Sequence, residues 1–210
     1  MAKKNNLVIY AAVDCTGHGV PGAFMSIVGN NQLNYAIDVK KARQASEILD
    51  SLNEGVVETL REKGNEKVGL SGVKDGMDLA LCIIDYKNMK LQFAGANNPL
   101  CLIRNNELIQ IKGDKMAIGG NFDDELPKFT NHEIDIQKGD VLYTFSDGYP
   151  DQFGGGDGRK FMVKKFRELL LEIHQNPIEE QERILEEHLD EWRGKEEQVD
   201  DIIVIGVKIE

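Results

Sequence analysis

The chain has 210 residues, with 25 basic and 36 acidic side chains and a formal net charge of −11 at neutral pH. That length suits one domain, and 41% hydrophobic residues supply a sizeable core and exclude a disordered chain. The acidic balance argues against nucleic acid or an anionic membrane as the main partner, because both reward basic surfaces.

No apolar run approaches the ~18 residues of a membrane span. The short stretch Leu7 to Val13 meets Asp14 at once, which does not make a signal peptide. Cys15, Cys82 and Cys101 are odd in number and widely spaced. They form neither a disulfide framework nor a CxxC metal site, and a reducing cytoplasm is the simplest location.

In chain order, Leu7-Val-Ile-Tyr-Ala-Ala-Val13 predicts a buried strand that ends at Asp14. A glycine-rich turn follows, and Pro21 suits the first turn of a helix reaching the mid-30s. Ala45, Ile48, Leu49, Leu52, Val56 and Leu60 recur at spacings of three and four, which predicts an amphipathic helix ended by Gly64. Apolar runs at 79–84, 91–94, 100–103, 107–111 and 141–145 predict strands. No helical pattern separates them, so short connections imply antiparallel pairing. Phe166, Leu169, Leu170 and Ile173 mark one further helix, and Ile184, Leu185, His188, Leu189 and Trp192 another. Ile202 to Ile209 predicts a last strand. The order of strand, two helices, meander, two helices, strand predicts an α+β fold with helices packed on antiparallel sheets.

Three acids share one placement. Asp14 and Asp147 end apolar strands, and Asp200 precedes another. Each alone reads more readily as an ordinary turn residue, as in Ser146-Asp147-Gly148. Together they suggest a shared site, because gathered carboxylates repel unless a cation is present. Hard ions such as Mg²⁺ or Mn²⁺ prefer such oxygen ligands. Nothing in the sequence has zinc spacing.

Gly17-His-Gly-Val-Pro-Gly22 also fits GxGxxG after a strand and before a helix, with Asp38 about 20 residues beyond Asp14's turn, as in a dinucleotide site. Against this, Asp14, Cys15 and Thr16 intervene, and a carboxylate does not suit an anion-binding turn. The meander after residue 64 also lacks repeated βα units.

The segment Asp14-Cys-Thr-Gly-His-Gly-Val-Pro-Gly-Ala-Phe-Met-Ser26 resembles the first metal motif of SpoIIE-like protein serine/threonine phosphatases, in the metal-dependent type 2C (PPM) superfamily. Gly76 to Asp85, Phe93 to Leu100, Gly139 to Gly148 and Asp200 to Ile203 fall in that family's order, so the resemblance covers essentially the whole chain. It implies an antiparallel β-sandwich flanked by helices, in αββα layers, with two Mn²⁺ or Mg²⁺ ions at one end. Asp14 would bridge both ions, the Cys15 backbone carbonyl would bind one, and Asp147 and Asp200 would add carboxylates. Asp200 is preferred to Asp201, whose place in the superfamily is often Asn. A metal-bound water would attack the phosphorus of phosphoserine or phosphothreonine.

The resemblance carries further expectations. The family has a Gly-Asp pair on a strand upstream of the first motif. Its lack here reads as one phosphatase domain over residues 1–210, N-terminally truncated and missing one or two strands. Ile203 stands where Thr is common. The Ala96-Asn97-Asn98 stretch lacks the Asp some type 2C enzymes use for a third metal. Bacterial relatives imply a phosphorylated protein substrate, such as an anti-anti-sigma STAS-type protein. They also imply a sensor or response-regulator domain in the full-length chain, and a regulatory surface including helix 43–63. A catalytically weak or inactive signalling module of the same fold is the alternative.

Other positions keep two readings. His18 would donate a proton to the leaving oxygen or hydrogen-bond its loop. Asn97 and Asn98 would orient a phosphate or a water, or form a plain Asn-Asn-Pro turn. Asp78 would touch the site's rim or simply begin a strand. His132, His174 and His188 read as structural or exposed, 179–197 as a solvated helix face, and Phe24, Met25 and Ile27 as core.

Overall fold

The computed structural model describes residues 2–4, 7–17, 19–64, 76–120 and 125–210. Its strands are β1 (Ala2–Lys4), β2 (Leu7–Cys15), β3 (Met77–Asp85), β4 (Lys90–Ala96), β5 (Leu100–Arg104), β6 (Glu107–Ile111), β7 (His132–Asp135), β8 (Val141–Phe145), β9 (Phe153–Gly154), β10 (Arg159–Lys160) and β11 (Val204–Lys208). Its α-helices are α1 (Val20–Asn34), α2 (Ala45–Gly64), α3 (Gly148–Asp151), α4 (Val163–Ile173) and α5 (Ile178–Arg193), and Tyr35–Val39 continue α1 as a π-helical turn. The chain is α+β, and among the described residues every strand pairing is antiparallel apart from one isolated parallel bridge. It divides into two compact units, Met1–Asn98 with Lys112–Asp135, and Pro99–Ile111 with Ile136–Glu210.

The first unit is a sheet in the order β1-β2-β3-β4-β7 with α1 and α2. Side chains alternate faces along a strand. Accordingly Ile9, Met77, Leu79, Leu81 and Ile83 join one core with α1 and α2, and Ala11, Val13 and Cys15 pack at its margin. The predicted stripe on α2 is real: Ala45, Ile48, Leu49, Leu52 and Val56 are fully buried. The Glu47 carboxylate accepts the Arg43 and Gln44 backbone N–H groups at 2.9 and 3.1 Å, which caps the helix start. On α1, Met25 is buried but Ile27 is 60% exposed, so Ile27 is not core as expected. The two helices meet at Gly55, where an added Cβ would lie 2.2 Å from the Gln32 side-chain oxygen.

The second unit is a sheet in the order β11-β8-β5-β6 with α4, α5 and the short β9–β10 hairpin. Every residue of β8 is buried. Phe145, Tyr149, Phe161, Phe166, Leu169, Leu170 and Ile173 form its core with the inner face of α5. Buried Gln181 ties this core together. It accepts the Tyr143 hydroxyl at 2.5 Å and donates to the carbonyls of His174 and Asn176 at 3.0 and 2.8 Å. Arg104 donates two hydrogen bonds to buried Asp140, at 2.9 and 2.6 Å.

The remaining histidines are structural. His132 stacks on Phe93, His188 packs edge-on to Phe161, and His174 bonds the Leu171 carbonyl and Asn106. Among the described residues no helix is long and apolar enough to cross a membrane.

Candidate active site

Asp14 does not quite end its strand. β2 continues one residue further, with Asp14 opposite Asp78 and Cys15 opposite Met77. Beyond it, the Thr16 N–H and hydroxyl both donate to the Gly76 carbonyl, at 2.9 and 2.7 Å, and the Gly76 N–H donates back to the hydroxyl at 2.6 Å. The loop then turns through Gly17 and Gly19, both at positive φ (90° and 70°), which suit glycine. It folds back so closely that a Cβ on Gly22 would lie 2.5 Å from the Gly17 carbonyl oxygen. Positive φ thus accounts for Gly17 and Gly19, and backbone crowding for Gly22. Ser26 of α1 donates to the Cys15 sulfur at 3.5 Å. His18 lies outside the described residues.

Across the same sheet, Asn97 donates its side-chain amide to Asp78 at 2.7 Å. Asp78 is half-buried, and burial pushes its carboxyl above the usual range against the opposing effect of the Asn97 bond. Asn97 holds the left-handed backbone (φ 57°) that Asn tolerates, and its N–H donates to the Asp114 carbonyl at 2.8 Å.

The second unit places Asp147 just after β8, at the N-terminal flank of α3, exposed between buried Ser146 and buried Gly148. The Ser146 hydroxyl donates to the Asp201 carbonyl at 2.8 Å and accepts the Ile203 N–H at 3.0 Å. The Ser146 N–H also donates to the Ile203 carbonyl at 3.0 Å. These bonds hold the Asp147 segment against the segment carrying Asp200. They also explain why β11 starts at Val204 and not at Ile202: a side-chain hydroxyl takes the Ile203 N–H. Gly148 sits under the Asp201 carbonyl, 2.4 Å from where a Cβ would be. Asp200 is exposed, and one carboxylate oxygen accepts the Asp201 N–H at 2.8 Å.

Within the first unit, then, Asp14 stands beside Asp78. Within the second, the Asp147 and Asp200 segments are bonded together. Among the described residues no group of three or more His, Cys, Asp or Glu side chains forms a ready-made ion site. The donors at the expected positions are nonetheless all hard oxygens, which suits Mg²⁺ or Mn²⁺ and not a thiolate or imidazole metal. Asp14 and Asp78 also face each other across the β2–β3 ladder, where like charges repel and a cation is welcome. The set therefore fits a hard divalent cation.

Sequence reasoning gave Asp78 no partner. The signal was present: one apolar strand ends in an acid and the next begins with one, so antiparallel pairing sets them opposite each other. It also passed over Thr16 and Ser146, the hydroxyl residues beside the acids.

The sequence model of the family described as Stage II sporulation protein E (SpoIIE) matches residues 4–210. The chain belongs to the SpoIIE family. It is a serine/threonine protein phosphatase domain of the PP2C type, a family that is generally metal-dependent. The SpoIIE domain is similar to the SiaA-PP2C domain of Pseudomonas aeruginosa, with 28% identity and a TM-score of 0.87, over 100% of this chain and 78% of that one. It shares its fold with the Mycobacterium tuberculosis serine/threonine phosphatase PstP/Ppp, at 18% identity and a TM-score of 0.67, over 100% and 94% of the two chains. It also shares the fold of the PP2C phosphatase domain of SpoIIE from Bacillus subtilis, at 18% identity and a TM-score of 0.66, covering 96% of this chain and 53% of that one. No curated protein matches the sequence.

Proposed function

We propose that this SpoIIE domain hydrolyses phosphoserine or phosphothreonine on a bacterial regulatory protein, using two Mn²⁺ or Mg²⁺ ions held by Asp14, the Cys15 carbonyl, Asp147 and Asp200. The observation that supports the reading is the hydrogen bonding of the segments that carry these acids. Asp14 is followed by a loop locked to Gly76, and Asp147 follows Ser146, whose hydroxyl bonds the Asp200–Ile203 segment.

When bound, the ions supply an activated water and neutralise charge on the phosphoryl oxygens. The chain's own residues do the rest. The strands β2 and β8 set the backbone positions of Asp14 and Asp147. The oxygen set favours hard cations over softer ones. His18 is the candidate proton donor to the leaving seryl or threonyl oxygen.

An anti-anti-sigma STAS-type protein is the substrate class we favour, with a sensor or response-regulator domain as the upstream partner. Related folds in RsbU–RsbW and SpoIIE support that setting. A cytoplasmic location accords with it. The alternative, a catalytically weak signalling module of the same fold, draws on the lack of a preformed three-residue ion site among the described residues.

The deciding experiment is hydrolysis of a phosphothreonine peptide with and without Mn²⁺. We expect EDTA to abolish turnover, and Asp14→Ala or Asp147→Ala to lower it by at least 100-fold. Full activity in chelator would overturn the proposal. Stoichiometric Mn²⁺ binding without turnover would favour the inactive module.

A further inference from the structure

We propose that Asp78, anchored by Asn97, is a positioning residue that sets the cation-binding strength of Asp14. This inference rests on the metal reading above. The argument is one of register. Asp14 and Asp78 are directly paired in the β2–β3 ladder, so their side chains share a face with Cβ atoms about 4.5–5.5 Å apart. In the β3–β4 ladder Leu79 pairs with Ala96. One step further sets Asp78 against Asn97, and their side chains do bond, at 2.7 Å. Asp14, Asp78 and Asn97 therefore form one row across the ends of three neighbouring strands.

The row lies on the sheet face opposite the helices. Its neighbours Val13, Cys15, Met77 and Leu79 pack on the α1–α2 side, and alternation sends the row the other way. Two like charges directly opposite on adjacent strands destabilise the pairing. Asn97 fixes the Asp78 carboxylate in the row and is itself fixed through its N–H to Asp114. The second negative charge thus remains beside Asp14, where it strengthens attraction for a cation that Asp14 holds. Outer groups of this kind typically change metal affinity 10–100-fold.

Calorimetric titration of Mn²⁺, alongside melting of the metal-free protein, tests this without reference to turnover. Asp78→Asn keeps an oxygen that accepts from Asn97 and removes only the charge. We expect it to weaken Mn²⁺ binding at least tenfold without lowering the metal-free melting temperature. Asn97→Ala should also weaken binding, with no rise in melting temperature. Asp14→Asn is the reference and should abolish binding. If the unsubstituted chain and Asp78→Asn bind Mn²⁺ equally and Asp14→Asn does not, this inference fails and the metal reading stands. A metal-free Asp78→Asn that melts lower with unchanged affinity assigns Asp78 to the fold alone and overturns it. If the unsubstituted chain takes up no Mn²⁺, the metal reading fails and this inference with it.

Discussion

Thr16 and Gly76, sixty residues apart, are joined by three hydrogen bonds: two from Thr16 to the Gly76 carbonyl and one returned from the Gly76 N–H. The side-chain hydroxyl takes part in two of them, so the loop after Asp14 is held from the side and not only by its own turns. Thr16→Val keeps the shape and removes the hydroxyl, leaving the Gly76 N–H without that acceptor. We expect a stability loss of about 1–3 kcal/mol, measured by denaturant melts. Mn²⁺ affinity should fall as well, since the segment carrying Asp14 and Cys15 loses its anchor.

Gln181 serves the second unit in a comparable way. Its amide satisfies the Tyr143 hydroxyl and two carbonyls in the α4–α5 connection, and it is buried. Gln181→Leu replaces it with an apolar side chain of similar size and leaves all three groups unpaired. The expected cost is about 2–4 kcal/mol, from the desolvation of several unmet polar groups. Urea unfolding gives the number. A change under 0.5 kcal/mol would show that the connection re-forms its bonds elsewhere.

The cysteines should differ sharply in reactivity. Burial raises the Cys82 thiol to about 12 and the Cys101 thiol to about 11, so both stay protonated and enclosed at neutral pH. The thiolate is the reactive form. Cys15 is partly exposed. Maleimide at pH 7.5 should add one label to the native protein, at Cys15, and three after denaturation, counted by mass spectrometry.

Glu47 predicts a pH effect at the start of α2. Backbone N–H bonds from Arg43 and Gln44 hold its carboxyl below the ordinary value of 4.5. A carboxyl depressed on folding contributes stability at pH values above its unfolded pKa. That contribution is lost as pH falls through the lower folded value. Glu47→Gln should therefore melt lower than the unsubstituted protein at pH 6, and the gap should close toward pH 3. A gap that stays constant over this range would remove Glu47 from the acid limb.

Much of the fold was legible because its signals are local. The period of Ala45, Ile48, Leu49, Leu52 and Val56 names a buried stripe without any tertiary knowledge. The continuous apolar run of β8 likewise names a strand buried on both faces. Other elements gave little local signal. β7 reads His-Glu-Ile-Asp, too short and too charged to stand out, and forms because β4 offers it an edge. β11 is shorter than its apolar run because Ser146, far away in sequence, takes the Ile203 N–H. Ile27 looked like core, yet it faces outward on α1.

For the site, Asp14, Asp147 and Asp200 stood out as acids beside apolar strands. The partner of Asp14 did not, because register is a property of two strands and neither one carries it alone. Asp78 becomes informative only once β2 and β3 are aligned.

The clamp at Ser146 and the crowded Gly148 have one last consequence. Both positions are intolerant of change for reasons of space and hydrogen bonding, whereas Asp147 between them is exposed. One nucleotide substitution can turn that acid into asparagine, which keeps its size and removes its charge. If Asp147 serves the chemistry proposed for it, lineages built on this scaffold have a short mutational route to folded, silent decoys, whose preserved shape would say little about preserved chemistry.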